Sequence, residues 1–173
     1  FSFYEGKETK DMISYMRLVV NPRDDIALER IINEPKRGIG PTTLAKYMAL
    51  AQVRGMSIFE CLLEDETLDS FNKKARESLK SMMDVIRECI DERENLRVSD
   101  IYDNLLVKTG YLGALEAQNT QEAESRIENL LDFKSYIYDY EKEKEDAGEE
   151  ATLDEFLERV STQSDTDSYD EAD

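Results

Sequence analysis

Apolar residues recur through most of this chain at steps of three and four, the spacing that lines one side of an α-helix. Met12, Ile13, Tyr15, Met16, Val19 and Val20 share one broad face and predict a helix over 5–20. Asn21-Pro22 stops it, because the residue before a proline avoids the helical region. Asp24 and Asp25 open the next helix with acids at its positive end, and Ile26, Leu28, Ile31 and Ile32 form its core side. Pro35 marks its end. Another helix follows the glycines at 38 and 40, runs to Val53 and closes at Arg54-Gly55. Ser57-Ile58-Phe59-Glu60 is a capping box that opens a short helix to Glu64.

The second half repeats the pattern at greater length. Phe71, Ala75, Leu79, Met82, Met83, Ile86, Cys89 and Ile90 predict a long helix over 68–93. A shorter one covers 99–108. A second long one covers 121–144, with Ile127, Leu130, Leu131, Phe133, Tyr136, Ile137 and Tyr140 on its buried face. Thr152-Leu153-Asp154-Glu155 is another capping box, ahead of Phe156, Leu157 and Val160. From Ser161 the periodicity is lost. No stretch alternates with a period of two. The expected fold class is therefore all-α: a compact multi-helix domain of about eight or nine helices over 1–160, with 161–173 as an acidic, disordered tail or linker.

Composition supports one ordinary domain with a real core: 173 residues, 40% of them hydrophobic, with seven glycines and three prolines. The net charge of −18 repels nucleic acid at long range. Its distribution is uneven. Residues 141–173 hold fourteen acids against three bases, a net of −11, whereas 34–54 hold one acid against Lys36, Arg37, Lys46 and Arg54, a net of +3. Histidine is absent, which removes the commonest general base and metal ligand. Cys61 and Cys89 lie far apart on apolar stretches and read as buried free thiols of a reducing compartment. With no secretory signal and no apolar run of about eighteen residues, no membrane partner is expected and the expected location is cytoplasmic.

The basic island coincides with Lys36-Arg37-Gly38-Ile39-Gly40-Pro41-Thr42-Thr43. Two glycines allow a tight reversal. Pro41 suits the first turn of a helix, where its missing N–H is no loss. The free amides and dipole of that helix start favour an anion. This is the layout of a helix-hairpin-helix, which holds a phosphate backbone without reading bases. The same residues also read as a short connection between two packed helices with incidental basic neighbours. Thr109-Gly110-Tyr111-Leu112-Gly113 is a second glycine-bracketed turn between helices, readable as a degenerate second hairpin.

Catalytic chemistry is not evident. No glycine-rich loop ends in Lys-Ser/Thr, and without histidine a hydrolytic triad has no base. A hairpin-bearing base-excision glycosylase would place an acid about one helix beyond the hairpin, yet none follows Gly40 until Glu60. The chain is expected to be no enzyme on its own, with no catalytic, cofactor or metal residues.

Three blocks resemble superfamily 1 DNA helicases of the UvrD/PcrA/Rep type. The first is Phe3-Tyr4-Glu5-Gly6-Lys7-Glu8-Thr9-Lys10-Asp11, continuing through Tyr15-Met16-Arg17-Leu18 and Asn21-Pro22-Arg23-Asp24-Asp25. The second is Arg30-Ile31-Ile32-Asn33-Glu34-Pro35-Lys36-Arg37-Gly38-Ile39-Gly40, and the third Ser125-Arg126-Ile127-Glu128-Asn129-Leu130. The resemblance covers nearly the whole chain. It implies the 2B subdomain, a helical insertion within the second RecA-like motor domain, with 1–4 a remnant of a motor strand. It implies a parent that is an ATP-dependent 3′-to-5′ DNA helicase of repair or replication, using ATP and Mg held elsewhere. It implies partners: duplex DNA backbone at a single-strand/double-strand junction, the parent's motor domains, and repair or transcription proteins. The implied DNA-binding residues are Lys36, Arg37, Gly38, Ile39, Gly40, Thr42, Thr43 and Lys46. Family members often carry Arg where Gly6 stands. Arg126 is read as an internal ion-pair residue.

The leading expectation is thus an accessory, regulatory duplex-binding subdomain. The alternative is an acidic protein-interaction or autoinhibitory module with no direct DNA contact, whose working face would be the 141–173 surface.

Overall fold

The computed structural model describes the backbone of residues 6–69 and 71–172, and side chains over the same span apart from 65 and 164–172. Residues 1–4, expected as a strand remnant, lie outside it. Among the described residues the regular structure consists of ten α-helices: α1 Lys7–Val20, α2 Asp25–Ile31, α3 Pro41–Arg54, α4 Ile58–Leu62, α5 Asp65–Leu68, α6 Lys73–Asp91, α7 Val98–Lys108, α8 Tyr111–Glu116, α9 Gln121–Asp146 and α10 Leu153–Ala172.

The centre is α1, which packs against α2, α6, α7, α9 and α10. Its apolar side, with Met12, Tyr15, Met16 and Leu18 fully enclosed, joins one continuous core with Leu28, Ile31, Leu79, Met82, Ile86, Phe133 and Phe156. Each such side chain contributes roughly 1.5–3 kcal/mol when removed from water. Unusually, α1 also buries Glu8, Thr9, Asp11 and Ser14. Among these, Asp11 meets Arg30 of α2 and Tyr111 of α8, and Glu8 meets Asn129 of α9.

Caps fix where most helices begin. Asp24 accepts from the Ala27 amide at 3.0 Å, Asn72 from Ala75 at 2.8 Å, Thr120 from Ala123 at 3.0 Å and Thr152 from Glu155 at 3.2 Å. The Ser57–Glu60 capping box is present. α7 borrows its cap from α9: the buried Glu141 carboxylate accepts from both the amide and the hydroxyl of Ser99 at 3.1 Å.

Three expectations are corrected. The helix expected over 68–93 is broken, because Asn72 caps a fresh start and α6 begins only at Lys73. Gly113 does not bracket a turn. It lies within α8, behind the left-handed Gly110 that forms the turn (φ 85°). Residues 161–172 are not irregular, since α10 continues to Ala172. No glycine or proline interrupts that segment, so nothing in its backbone stops propagation. Cys61 and Cys89 are both free and buried, and burial pushes the Cys89 thiol up to about 11. No helix among the described residues is long and apolar enough to cross a membrane.

This packing has two measurable consequences. Phe156 is fully buried with its ring centroid 5.8 Å from Phe133 and 5.3 Å from Tyr140. Phe156→Ala is expected to lower unfolding free energy by about 3–5 kcal/mol in urea titration, through lost burial and a residual cavity. Burial also pushes the Tyr15, Tyr102 and Tyr111 phenols above their ordinary value of 10.0. Unfolded phenols therefore release protons first. Stability should be complete below about pH 10 and fall as pH rises beyond it. Tyr102→Phe should make that fall shallower, and a urea midpoint that stays flat well above about pH 10 in the parent chain would contradict this linkage.

Candidate nucleic-acid interface

α3 lies at the edge of the fold. It packs chiefly on α4, and only Tyr47 and Ala51 are fully buried along its length. Tyr47 anchors it: the phenol donates to the Thr67 carbonyl at 2.7 Å and the ring stacks on Phe71 with centroids 4.9 Å apart. The opposite side, with Thr42, Lys46, Ala49 and Val53, faces solvent.

The start of α3 combines two features that are separate in the other described helices of eight residues or more: α1 also begins at a glycine without a side-chain cap, Gly6, but holds Glu8 in its first turn, and α6 also lacks an acid there but is capped by Asn72. The N-cap of α3 is Gly40, which has no side chain to satisfy the first amides, and its first turn holds no acid. Pro41 occupies the first position and contributes no donor. Among the described residues, the amides of Gly38, Gly40, Thr42 and Thr43 have no hydrogen-bond partner. Five other helix starts among the described residues are filled by Asp, Ser, Asn or Thr oxygens, and a sixth by Glu141. Here the orphan donors and the positive dipole end stay open, which is what an anion needs.

The connection at 32–40 is held rigid from beneath. Asn33 Oδ1 accepts from the Arg37 amide at 2.6 Å and the Ile39 amide at 3.3 Å. Ile39 inserts its side chain into the core. Gly38 carries the reversal at φ 79°, and its neighbour across the gap is Ala75, 3.7 Å from where a Cβ would stand. The Glu34–Pro35 peptide is cis.

The eight residues expected at this site therefore divide. Lys36, Gly38, Gly40, Thr42 and Lys46 are exposed and Thr43 is half-exposed around the open helix start. Ile39 shapes the loop from inside, and its amide is already used. Arg37 stands apart from the others: it is 6% exposed, and its guanidinium donates to carbonyls and the Tyr15 phenol. Its Nη1 and Nη2 donors are turned to these internal acceptors. The second glycine turn lies beside the first: Gly110 is exposed, and a Cβ on it would stand 3.8 Å from the Pro35 ring.

Sequence reasoning missed a buried carboxylate. Asp11 accepts from Lys7 Nζ at 2.9 Å, Arg30 Nε at 2.9 Å and the Tyr111 phenol at 2.7 Å. Its neighbours at three- and four-residue steps are Lys7, Glu8, Ser14 and Tyr15, so no apolar stripe marked it as buried. Glu8 is likewise buried and accepts from Asn129 at 2.7 Å. Its carboxylate fills the space where a side chain on Gly6 would begin, 2.6 Å away. Arg126 pairs with Glu122 at 2.7 Å and approaches Glu8 at 4.0 Å, as the internal role expects.

Comparison with known proteins gives a consistent result. The model of the UvrD-like helicase C-terminal domain matches residues 1–172. The ATP-dependent DNA helicase PcrA of Staphylococcus epidermidis is 40% identical over 168 residues, 97% of this chain and 23% of the relative. The protein of the same name from Staphylococcus aureus is 39% identical over the same shares. The chain thus spans about a quarter of the length of the curated relatives it matches.

The two hairpin glycines should respond differently to a methyl group. Gly38→Ala forces a left-handed non-glycine residue and is expected to cost about 1–2 kcal/mol in chemical unfolding. Gly40 sits at φ −78° with nothing within 4 Å of a Cβ. Gly40→Ala meets no steric or left-handed penalty and is expected to lose only the N-cap preference for glycine over alanine, about 0.5 kcal/mol and less than Gly38→Ala. Equal losses at both positions would refute the backbone argument.

Proposed function

The chain belongs to the UvrD-like helicase C-terminal domain family, and from that premise we propose that it is the helical 2B subdomain of an ATP-dependent DNA helicase. In this reading α2, the 32–40 connection and α3 form a helix-hairpin-helix that holds duplex phosphate backbone beside a single-strand/double-strand junction. The observation that carries the reading is the open start of α3. A helix that faces solvent with uncapped amides, no acid in its first turn and lysines beside it is suited to a phosphate.

The division of labour follows from what the chain holds. Gly38, Gly40, Thr42 and Thr43 offer amide donors; Lys36 and Lys46 offer charge. Thr42 and Lys46 are four residues apart and share a helical face. Such contacts fix position on the duplex and carry no sequence preference. The net charge of −18 keeps this binding weak and short-ranged, so that the duplex is engaged only once the rest of the helicase has brought it close. ATP and Mg act in the motor parts of the parent, whose 3′-to-5′ movement in repair or replication this subdomain regulates by gripping or releasing the duplex ahead of the fork.

The test compares a junction substrate with single-stranded DNA of equal length in the full-length protein. Lys36→Glu with Lys46→Glu should reduce the affinity gained from the duplex arm. The log-log salt slope of that gain should fall by about two, one for each phosphate neutralised. An unchanged gain and slope would sink the reading.

A further inference from the structure

Arg37 stands in the basic run yet is buried, and the partners it takes explain why. Nη1 donates to the carbonyls of Ile31 at 2.7 Å, Ile32 at 3.0 Å and Glu34 at 3.3 Å. Nη2 donates to the Tyr15 phenol at 2.6 Å, and Tyr15 in turn donates to the Glu34 carbonyl. The carbonyls of Ile31 and Ile32 belong to the end of α2; that of Ile31 also accepts from the Glu34 amide at 2.9 Å, and beyond it the helical ladder ends. The guanidinium caps that end with a positive charge at the negative pole of the helix. Three residues later the chain becomes the Gly40 cap of α3.

We propose that Arg37 is the positioning residue of the phosphate-binding hairpin, acting through Tyr15 and the α2 carbonyls, and that the second glycine turn is the buttress of this assembly instead of a second DNA contact. The proposal rests on the phosphate reading of α3 and deepens it. Tyr15 is itself held in place. Its ring meets Tyr111 edge-on at 6.5 Å, and the Tyr111 phenol is bound to Asp11. Asp11 gathers Lys7 and Arg30, and Lys7 also reaches Glu34 at 3.0 Å, the residue whose carbonyl Tyr15 and Arg37 share. Gly110 brings α8 against Pro35 from the other side. α1, α2 and the loop thus meet at one guanidinium, with Tyr111 of α8 set against Tyr15.

Only arginine suits this position. A planar fork can serve three carbonyls and a phenol together, whereas a lysine ammonium has three donors on a flexible stem. This separates positioning from direct contact. A direct phosphate contact would survive Arg37→Lys, and Arg37→Gln would lower the salt slope of the duplex gain by about one. A positioning residue should leave the slope near the parent value and still weaken the gain about tenfold, in Arg37→Lys as much as in Arg37→Gln. Tyr15→Phe removes only a hydroxyl and keeps the ring in the core. It should weaken the same gain, and combined with Arg37→Gln the two losses should fall well short of their sum, because they break one cluster.

The experiment uses the full-length protein, with junction binding across a salt series and hydrogen exchange of the peptide covering 32–44. In Tyr15→Phe and Arg37→Lys the amides of that peptide should exchange about tenfold or more faster with no DNA present. Unchanged exchange in Tyr15→Phe, a slope lowered by about one in Arg37→Gln, or full rescue by Arg37→Lys would each overturn the proposal. The exchange arm is independent of DNA, so it decides the positioning claim even if Lys36→Glu with Lys46→Glu were to defeat the phosphate reading. Should Arg37→Gln fail to fold, Tyr15→Phe and Arg37→Lys still decide between positioning and direct contact.

Discussion

A guanidinium removed from water must find an acceptor for its N–H groups, because a charge left bare in the interior costs several kcal/mol. Arg37 meets that constraint with main-chain carbonyls and a phenol, and with no carboxylate among its hydrogen-bond partners. The consequences spread outward. α2 must stop where its carbonyls can turn toward Arg37. α1 must bring Tyr15 to the same point, which places a polar patch on a helix otherwise enclosed by core. The carboxylates of Glu8 and Asp11 become tolerable there because Asn129, Lys7, Arg30 and Tyr111 satisfy them. With the loop fixed from below, its upper side needs no further support, and the start of α3 is left open.

The charge distribution fits the same division. Much of the acid excess lies in α9 and α10, and part of it is used internally. Glu141 caps α7, Lys144 bridges Glu149 and Glu155, and Arg159 pairs with Glu143 over the Tyr140 ring. The first turn of α3 carries no acid at all. A strongly acidic protein can therefore present one locally receptive spot, effective over about a Debye length and screened by salt. Specific placement by the other parts of a helicase then does what long-range attraction cannot.

Much of this was legible in the sequence. Period and caps located the helices, because the apolar steps and the Asp24, Ser57 and Thr152 signals are local. The break before Lys73 was not legible from the apolar steps, since Phe71 continues the same stripe while Asn72 ends the run by taking an amide. The glycine run and its flanking lysines marked the candidate site. Arg37 read as an exposed cation of that run because its long side chain can reach either way from the loop. What turns it inward is the tertiary arrival of Tyr15, twenty-two residues earlier. Asp11 was missed for the same reason, since two of its three partners, Arg30 and Tyr111, arrive from other helices. The residues that carry the family resemblance, Lys7, Glu8, Asp11, Tyr15, Arg30, Glu34 and Arg37 among them, are those that build this internal network. The resemblance was therefore informative about the scaffold of the hairpin before it was informative about DNA.

Outward amides above an inward arginine are the core of this proposal for the loop. The most direct test is a ¹⁵N NMR titration of this chain with a short duplex. The amides of Gly38, Gly40, Thr42 and Thr43 should shift on binding, with the Arg37 side-chain Nε signal unmoved and slow to exchange. A large shift of the Arg37 Nε signal, with the α3 amides unmoved, would contradict it.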